Sequence, residues 1–520
     1  MRLDLIGHEY KYAVEQIMLA LFPDERPEYV SEGAGGAAFP DNLQNPKRMR
    51  RGRYCQPDKF FSSDGHGGFS VVSRLSYGSV YAQAATVIEH SGDVSRGYAR
   101  VGLKRLDGKL VTDRHLQRII KKSFYKAAAS FIEAPPVWGA LTGIRPASLA
   151  AAALTSGDSE KNVKKMLVRE FYVSPERAEL CAGVARSALC VKQSLKPMDV
   201  ALYVGIPFCP SRCAYCSFVS NSVEKSFGLI DPFIKTLLPE IEAAADMISA
   251  FGLRVIAVYI GGGTPTALPA ESFEAVISAL DGFIDMTHVR EYTVEAGRPD
   301  SITEQHLDIM RRYGVGRVCV NPQSMSRDVL TAIGRRHTPE DVPDAARLVR
   351  QCGMALNMDV IAGLPGDTAE GFRHTIDAVM GLLPENITIH TLSLKKGSRI
   401  MLERTSIPGA ADVAKMLEFA AQRLQESGFF PYYLYRQKFT SGGFLNTGWC
   451  LLGHEGVYNV CMMEELCSVL ALGGGAVTKL VLPGGRIERV FNAKYPREYI
   501  LSGYAANIEK IKAFYRLYGF

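Results

Sequence analysis

From Val200 onward, short apolar runs alternate with amphipathic stretches. The runs cover residues 201–206, 255–260, 292–294, 317–320, 356–361 and 387–392. Their length and β-branched content predict buried strands. Between them, residues 231–250, 271–284, 339–351 and 368–383 place apolar side chains on one helical face. Strand then helix, repeated about six times, implies parallel strands joined by crossover helices. A (β/α) barrel, or part of one, is the natural closure, with ligands at the carboxyl ends of the strands. Before residue 200 the pattern is weaker. Residues 10–21, 115–132 and 174–193 have helical periodicity, 69–75 and 98–103 read as strands, and 23–70 are a Gly- and Pro-rich loop. After residue 400 a helix over 410–426 leads into an aromatic-rich α+β tail. No internal repeat at a fixed period occurs. The pattern is therefore α/β: an N-terminal α+β accessory domain (1–195), a partial (β/α)6 barrel (196–400) and a C-terminal α+β extension (401–520).

Composition narrows the class without changing this layout. Of the 520 residues 47% are hydrophobic and 22% charged, which is ordinary for a globular protein and excludes a largely disordered or collagen-like chain. No run of about 18 apolar residues predicts a membrane span. The first residues, with Asp4 and Glu9, do not read as a secretory signal, so a cytoplasmic location is expected. In such a reducing compartment, clustered cysteines more often bind metal or do redox chemistry than form disulfides. The net charge of +6 is uneven: residues 1–200 hold 29 basic and 21 acidic groups, the rest 31 and 33. Lys47, Arg48, Arg50, Arg51 and Arg53 crowd into one segment. A solvated loop is the plain reading, and an arm for RNA or another anionic partner is the alternative.

The decisive chemistry follows the first strand of the alternating region. Cys209, Cys213 and Cys216 stand in the spacing C-x3-C-x2-C. Three thiolates on one short loop can hold three irons of a [4Fe–4S] cube and leave the fourth open. A structural zinc site would want a fourth Cys or His nearby, and a redox pair Cys213–Cys216 would leave Cys209 unexplained. After the second strand comes Gly-Gly-Gly-Thr-Pro (261–265). As a dinucleotide fingerprint it fails, because no glycine stands at 266; a ligand-hugging loop or a tight turn remain. The tail cysteines Cys450, Cys461 and Cys467 fit no cluster spacing and read as small buried residues.

The cysteine spacing at the end of a first barrel strand resembles the radical S-adenosylmethionine (SAM) superfamily. The resemblance implies that the open iron binds SAM through its amino and carboxylate groups. One electron then cleaves SAM to methionine and a 5′-deoxyadenosyl radical. Tyr-x-x-Ile-Pro-Phe-Cys before the cysteines, Gly-Gly-Gly-Thr-Pro-Thr, a glutamate ending the third strand and Asp-Val-Ile-Ala-Gly-Leu-Pro (359–365) narrow it further. Together they resemble the oxygen-independent coproporphyrinogen III oxidase family. The layout is similar to its coproporphyrinogen dehydrogenase branch, which has a long N-terminal extension. The implied function is oxidative decarboxylation of coproporphyrinogen III, a tetrapyrrole, to protoporphyrinogen IX, with one [4Fe–4S] cluster, SAM in one or two copies, an electron donor and an electron acceptor. A haem-trafficking branch is the alternative. Its His-Asn-x-x-Tyr-Trp stretch is missing here, where Asn446-Thr-Gly-Trp449 is the nearest text. Another radical SAM reaction, for example on RNA, is the third reading.

Carried over position by position, the resemblance gives SAM contacts to Tyr203, Tyr215, Gly262, Gly263, Thr264, Glu295, Gln323, Arg335, Asp359, Ser393 and Val477. Glu295 and Asp359 would accept hydrogen bonds from ribose hydroxyls or an ammonium. Arg335 would pair with a methionine carboxylate through its planar fork. Two positions depart from the family pattern: Gly205 stands where it has a histidine, and Phe218 where it has a fourth cysteine. For the substrate propionates, Lys395, Lys396, Arg399, Arg436 and Lys438 are the candidate cations, with Tyr432 to Tyr435 as a stacking surface.

Overall fold

The computed structural model describes residues 1–22, 25–29, 68–133, 135–143, 145–216, 221–395, 397–437 and 444–518. The basic run at 47–53 lies outside them, as do Phe218, Lys396 and Lys438. The chain divides into two compact units: Met1–Gly143 with Asp158–Glu179, and Ile144–Gly157 with Leu180–Phe520. No described helix is long and apolar enough to cross a membrane.

The first unit is α+β. Strands β1 (Arg2–Ile6), β2 (Glu28–Tyr29), β3 (Ser70–Tyr77), β4 (Tyr81–His90) and β5 (Asp93–Gly102) form a sheet in the order β2-β1-β3-β4-β5. Helices Lys11–Leu21 and Lys109–Ala128 share its core, where Val14, Ile17, Ile120 and Phe124 meet Leu3, Val71 and Ile88. The second of these helices starts six residues before the expected 115. Strands β1, β2 and β4 were not visible in the sequence pattern, and β2 lies in the stretch read as loop.

The second unit is built on one eleven-stranded sheet. Its centre holds the six expected strands: β6 (Asp199–Ile206), β9 (Arg254–Gly262), β10 (Glu291–Val294), β11 (Arg317–Cys319), β12 (Ala355–Ala362) and β13 (Asn386–Thr391). Adjacent members are all parallel. Helices between them, such as Ile230–Ala250 and Ala270–Phe283, bury their apolar faces, so the strands read as continuous apolar runs rather than alternating ones. A short parallel pair, β7 (Phe208–Cys209) with β8 (Asn221–Ser222), flanks the cysteine loop.

The residues after 400 extend this sheet at both sides. On one side β15 (Leu445–Cys450) runs antiparallel to β13, and β14 (Phe430–Arg436) antiparallel to β15. On the other, β16 (Ser468–Gly473) lies parallel to β6 as a seventh parallel strand, followed by antiparallel β17 (Val477–Leu482) and β18 (Arg486–Phe491). Strands β14 and β18 are its edges, so the barrel is partial.

Two ion pairs brace the amino ends of the parallel strands. Asp199 of β6 pairs with Arg254 of β9. Glu291 of β10 pairs with Arg317 of β11 at 3.0 Å, and Arg317 also donates to the His454 carbonyl at 2.9 Å. Near the carboxyl end of β16, Glu240 of helix Ile230–Ala250 gathers three donors. It accepts from the Gly473 amide (2.8 Å), from Asn492 (2.8 Å) and from the Tyr499 hydroxyl. Three distant segments thus converge on one buried carboxyl.

Candidate cluster and ligand site

Strand β6 delivers the cysteine loop, and the three glycines at the end of β9, Gly261 to Gly263, lie along it. The Gly263 amide donates to the Ile206 carbonyl at 2.8 Å and the Thr264 amide to the Phe208 carbonyl at 2.7 Å. The glycines serve two needs, close approach at 261 and 263 and backbone conformation at 262. A β-carbon at 261 would lie 2.6 Å from a Glu295 oxygen, and one at 263 would lie 2.3 Å from the Phe208 carbonyl oxygen. Gly262 has φ +108°, which side chains disfavour. Its amide donates to Glu295 Oε2 at 3.2 Å.

Cys209, Cys213 and Cys216 are half-buried and form no disulfide. The Thr264 hydroxyl stands 3.6 Å from Cys209 Sγ. All three thiols line one cavity. Yet among the described residues no three His, Cys or acidic side chains are close enough to share a single ion. In a cube each thiolate would meet a different iron.

Two arginines hold the loop. Buried Arg298 donates to Ser211 Oγ at 2.7 Å and grips Asp300 with both arms, at 3.0 and 2.8 Å. Arg335 donates to the carbonyls of Gly297 (3.1 Å) and Asn321 (3.0 Å) and to the Tyr215 hydroxyl (2.9 Å). It also faces the Cys213 thiol. These contacts aim the guanidinium at the cysteine loop, where the resemblance implied a methionine carboxylate as its partner.

The acids stand at the strand ends. Glu295 accepts from Tyr259 at 2.6 Å as well as from Gly262. Burial pushes its carboxyl pKa up; the Tyr259 hydrogen bond opposes this and the charge of Asp359 adds to it. Burial, helped by Glu295, also raises the Tyr203 hydroxyl. At Asp359 burial likewise favours the neutral form, but it is outweighed. His390 Nε2 at 3.3 Å and Asn357 at 2.9 Å bring the carboxyl below its ordinary value. Gln323 takes the left-handed φ of +67°, unusual for a residue with a side chain. The amide oxygens of Gln323 and Asn321 are buried with no partner among the described residues. Buried polar atoms are normally satisfied, so these two fit contacts to a ligand.

All fourteen candidate residues, the three cysteines and the eleven SAM positions, line this one cavity of about 660 Å³. It also takes in residues the sequence did not single out: Tyr259, Arg298, His390, Tyr458 and Lys494. Tyr259 had a signal, since it sits in register with Tyr203 on the neighbouring strand. Tyr203, Tyr259 and Tyr458 stack nearly parallel, with ring centres 6.3 and 4.4 Å apart. Tyr433 and Tyr435 form a second wall.

Of the candidate cations, Lys395 lines the cavity. Arg399 is exposed and pairs with Glu403 at 3.2 Å. Arg436 is half-buried outside the lining, where desolvation lowers its pKa to about 10. At Gly205 a β-carbon would come within 3.2 Å of the Gly474 carbonyl oxygen and 3.3 Å of the Tyr203 ring. Cys450, Cys461 and Cys467 are buried in a core with Tyr432 and Tyr458.

The radical SAM superfamily description matches residues 203–379. The chain is 37% identical over 369 residues to the oxygen-independent coproporphyrinogen-III oxidase-like protein HemZ of Bacillus subtilis (strain 168), covering 70% of this chain and 74% of that one. It is 24% identical to the heme chaperone HemW of Escherichia coli (strain K12), over 61% of this chain and 80% of that one. Among solved structures, coproporphyrinogen III oxidase (HemN) from Escherichia coli aligns with a TM-score of 0.49 at 20% identity, over 60% and 71% of the two chains.

Proposed function

Because the chain belongs to the radical SAM superfamily, and within it to the oxygen-independent coproporphyrinogen III oxidase-like proteins, we propose that it is an oxidoreductase converting coproporphyrinogen III to protoporphyrinogen IX. The observation that carries this reading is the make-up of the cavity. Three thiols, two orphaned amide oxygens, a tyrosine wall and two lysines face the same 660 Å³. The chemistry that a cluster and SAM supply when bound is a carbon-centred radical able to take a hydrogen atom from a propionate β-carbon.

The chain's own residues bind and orient. Cys209, Cys213 and Cys216 hold the cluster. Tyr203, Gly262, Gly263, Thr264 and Glu295 offer hydrogen-bonding groups and close backbone approach to SAM on the cluster side. Tyr215, Gln323, Asp359, Ser393 and Val477 serve the far side of SAM, or a second copy. Lys395 and Lys494 offset substrate propionates. Tyr433 and Tyr435 pack against pyrrole rings and exclude water. Each propionate that becomes a vinyl loses a hydrogen atom, carbon dioxide and one electron. An electron donor to the cluster and an acceptor for the substrate electron are therefore required partners.

The test is anaerobic incubation of reconstituted protein with SAM, a reductant, coproporphyrinogen III and an electron acceptor. Release of two carbon dioxide molecules per protoporphyrinogen IX is expected. SAM cleavage without carbon dioxide release would overturn the decarboxylase reading. Haem binding and transfer is the second reading, favoured by the 24% identity to the heme chaperone HemW of Escherichia coli (strain K12). Haem titration of the same protein tests it.

A further inference from the structure

The sheet of the first unit turns one face to its helices. Thr86 of β4 bonds Ser123 of helix Lys109–Ala128 at 2.8 Å, and a β-carbon at Gly97 of β5 would clash with the backbone of that helix. The alternate positions point the other way. There Arg74 of β3 and Tyr81 of β4 stand with Arg96, Tyr98 and Arg100 of β5. Arg74, Ala85 and Tyr98 share one register line across the three strands, and Gln83 and Arg100 share the next. Arg74 is half-buried, and the other arginines and both tyrosines are exposed. The Arg100 guanidinium lies 4.8 Å over the Tyr81 ring. Among the described residues no ring or cation lies against the Tyr98 ring, which leaves it open to a stacking partner.

Charge in this region is one-sided. Residues 93–126 carry ten basic and three acidic groups. One of the acids, Asp113, is engaged by the Tyr10 hydroxyl at 2.8 Å. Among the described residues, Arg74, Arg100, Lys104, Arg105, Arg114 and Arg118 form no ion pair. Burial and the charge of Arg114 lower the Arg118 pKa, and burial, Arg118 and Arg105 lower that of His115, so like charges crowd one another. Such self-repulsion is relieved by a polyanion. Charges on an edge strand also deter pairing with another sheet, which accounts for Arg96 and Arg100 on the edge strand β5. It does not account for Arg74 on the middle strand of five, nor for two exposed tyrosines.

We propose that this sheet face is a docking surface for single-stranded nucleic acid. The arginines hold phosphates, and the Tyr98 ring takes a base by stacking. A duplex hides the faces of its bases, so an open ring selects a single strand. The ladder of β3, β4 and β5 runs without a bulge. Its face is therefore continuous and suits a chain, whereas a small ligand favours a concavity. None of its residues lines the 660 Å³ cavity, so this surface does not depend on the chemistry done there.

The test uses the full-length protein and a fluorescein-labelled oligouridylate of about 12 nucleotides, with binding read by anisotropy. Affinity should fall about twentyfold between 50 and 200 mM salt if three phosphates are held. Arg96→Gln with Arg100→Gln should cost about tenfold and flatten that salt dependence. Tyr98→Ala should cost about fivefold or more and keep it. Arg347→Gln with Lys415→Gln, the same charge change on exposed residues of the second unit, should change little. An equal loss in that pair overturns the proposal, since net charge alone would then bind. Oligodeoxythymidylate binding as well as oligouridylate supports the surface and extends it to either nucleic acid, whereas a duplex that binds more tightly than both overturns the single-strand assignment. Displacement of the oligouridylate by coproporphyrin III makes the face a tetrapyrrole site, and binding to phosphatidylserine vesicles alone makes it a membrane surface; either result overturns the proposal. So does a wild type that binds no oligouridylate at 50 mM salt.

Discussion

The two ends of the same parallel strands treat charge in opposite ways. At the amino ends Asp199 meets Arg254 and Glu291 meets Arg317, so each buried acid has its cation. At the carboxyl ends Glu295 and Asp359 share a cavity with Arg335, yet neither pairs with it. There Gln323 also holds a left-handed backbone and two amide oxygens lack partners. The carboxyl-end acids are also less buried, with 18% of the Asp359 side chain exposed against 1% for Asp199 and 5% for Glu291. Charges closed on themselves brace the sheet, while charges and dipoles left open need something to complete them. This is the division of labour expected of barrel folds, stability at one face and chemistry at the other.

The sharpest way to break the comparison is at the cysteines. Replacing Cys209, Cys213 or Cys216 by Ala should abolish cluster assembly, measured as iron and sulfide per chain. Replacing Cys450, Cys461 or Cys467 should leave the count unchanged, and loss of iron in the tail variants alone would reverse the assignment. At the opposite end, Arg317→Ala strands the Glu291 carboxylate. Thermal or denaturant unfolding should show a loss of about 3–5 kcal/mol, with normal cluster content in the fraction that folds.

Glu464 sharpens the contrast as a buried acid that lines neither end. Burial raises its pKa to about 7, Arg145 opposing and Glu465 adding to the shift, and its Oε1 has no partner among the described residues. The folded protein therefore binds this proton more tightly than the unfolded chain. Its contribution to stability should be greatest at and below the unfolded value near 4.5, fall as pH rises to about 7, and level off above. In Glu464→Gln that fall, roughly 3 kcal/mol, should vanish from unfolding free energies measured across pH 4–8.

The smallest effect belongs to a carboxyl-end acid. Glu295→Gln should weaken SAM binding ten- to a hundredfold, about 1.5–3 kcal/mol, without lowering the melting temperature at neutral pH. If it unfolds the protein like Arg317→Ala, the two ends are not different in kind.

The six central strands were legible because each is a local apolar run bounded by polar turns, and the helices between them have one clear face. Strand β16 was not recognised as their neighbour. Its run 468–473 reads as a strand, but lying beside β6 is a long-range pairing that periodicity does not encode. Alanine-rich β4 was missed because its side chains give little strand signal. At the site, the three cysteines and the eleven expected SAM contacts all reach the cavity, since most of them sit where strands end. Arg298, His390 and Lys494 follow no motif, and only the folded sheet brings them in. Arg335 was legible as a site residue, while its contacts to Gly297, Asn321 and Tyr215, each on a different segment, were not.

The carboxyl of Glu240 imposes an order of events during synthesis. It is made 233 residues before Gly473 and 259 before Tyr499. At about 5–20 residues per second, roughly ten seconds to a minute pass before its last partner exists. Through that interval β6 has no β16 beside it, and the glycine turn that lines the cavity has yet to form. The three cysteines are then already made, on a loop with one wall missing. Until the interval ends, the cavity lacks Gly474 and Gly475 from its lining. Docking of Tyr499 onto Glu240 brings the interval to a close.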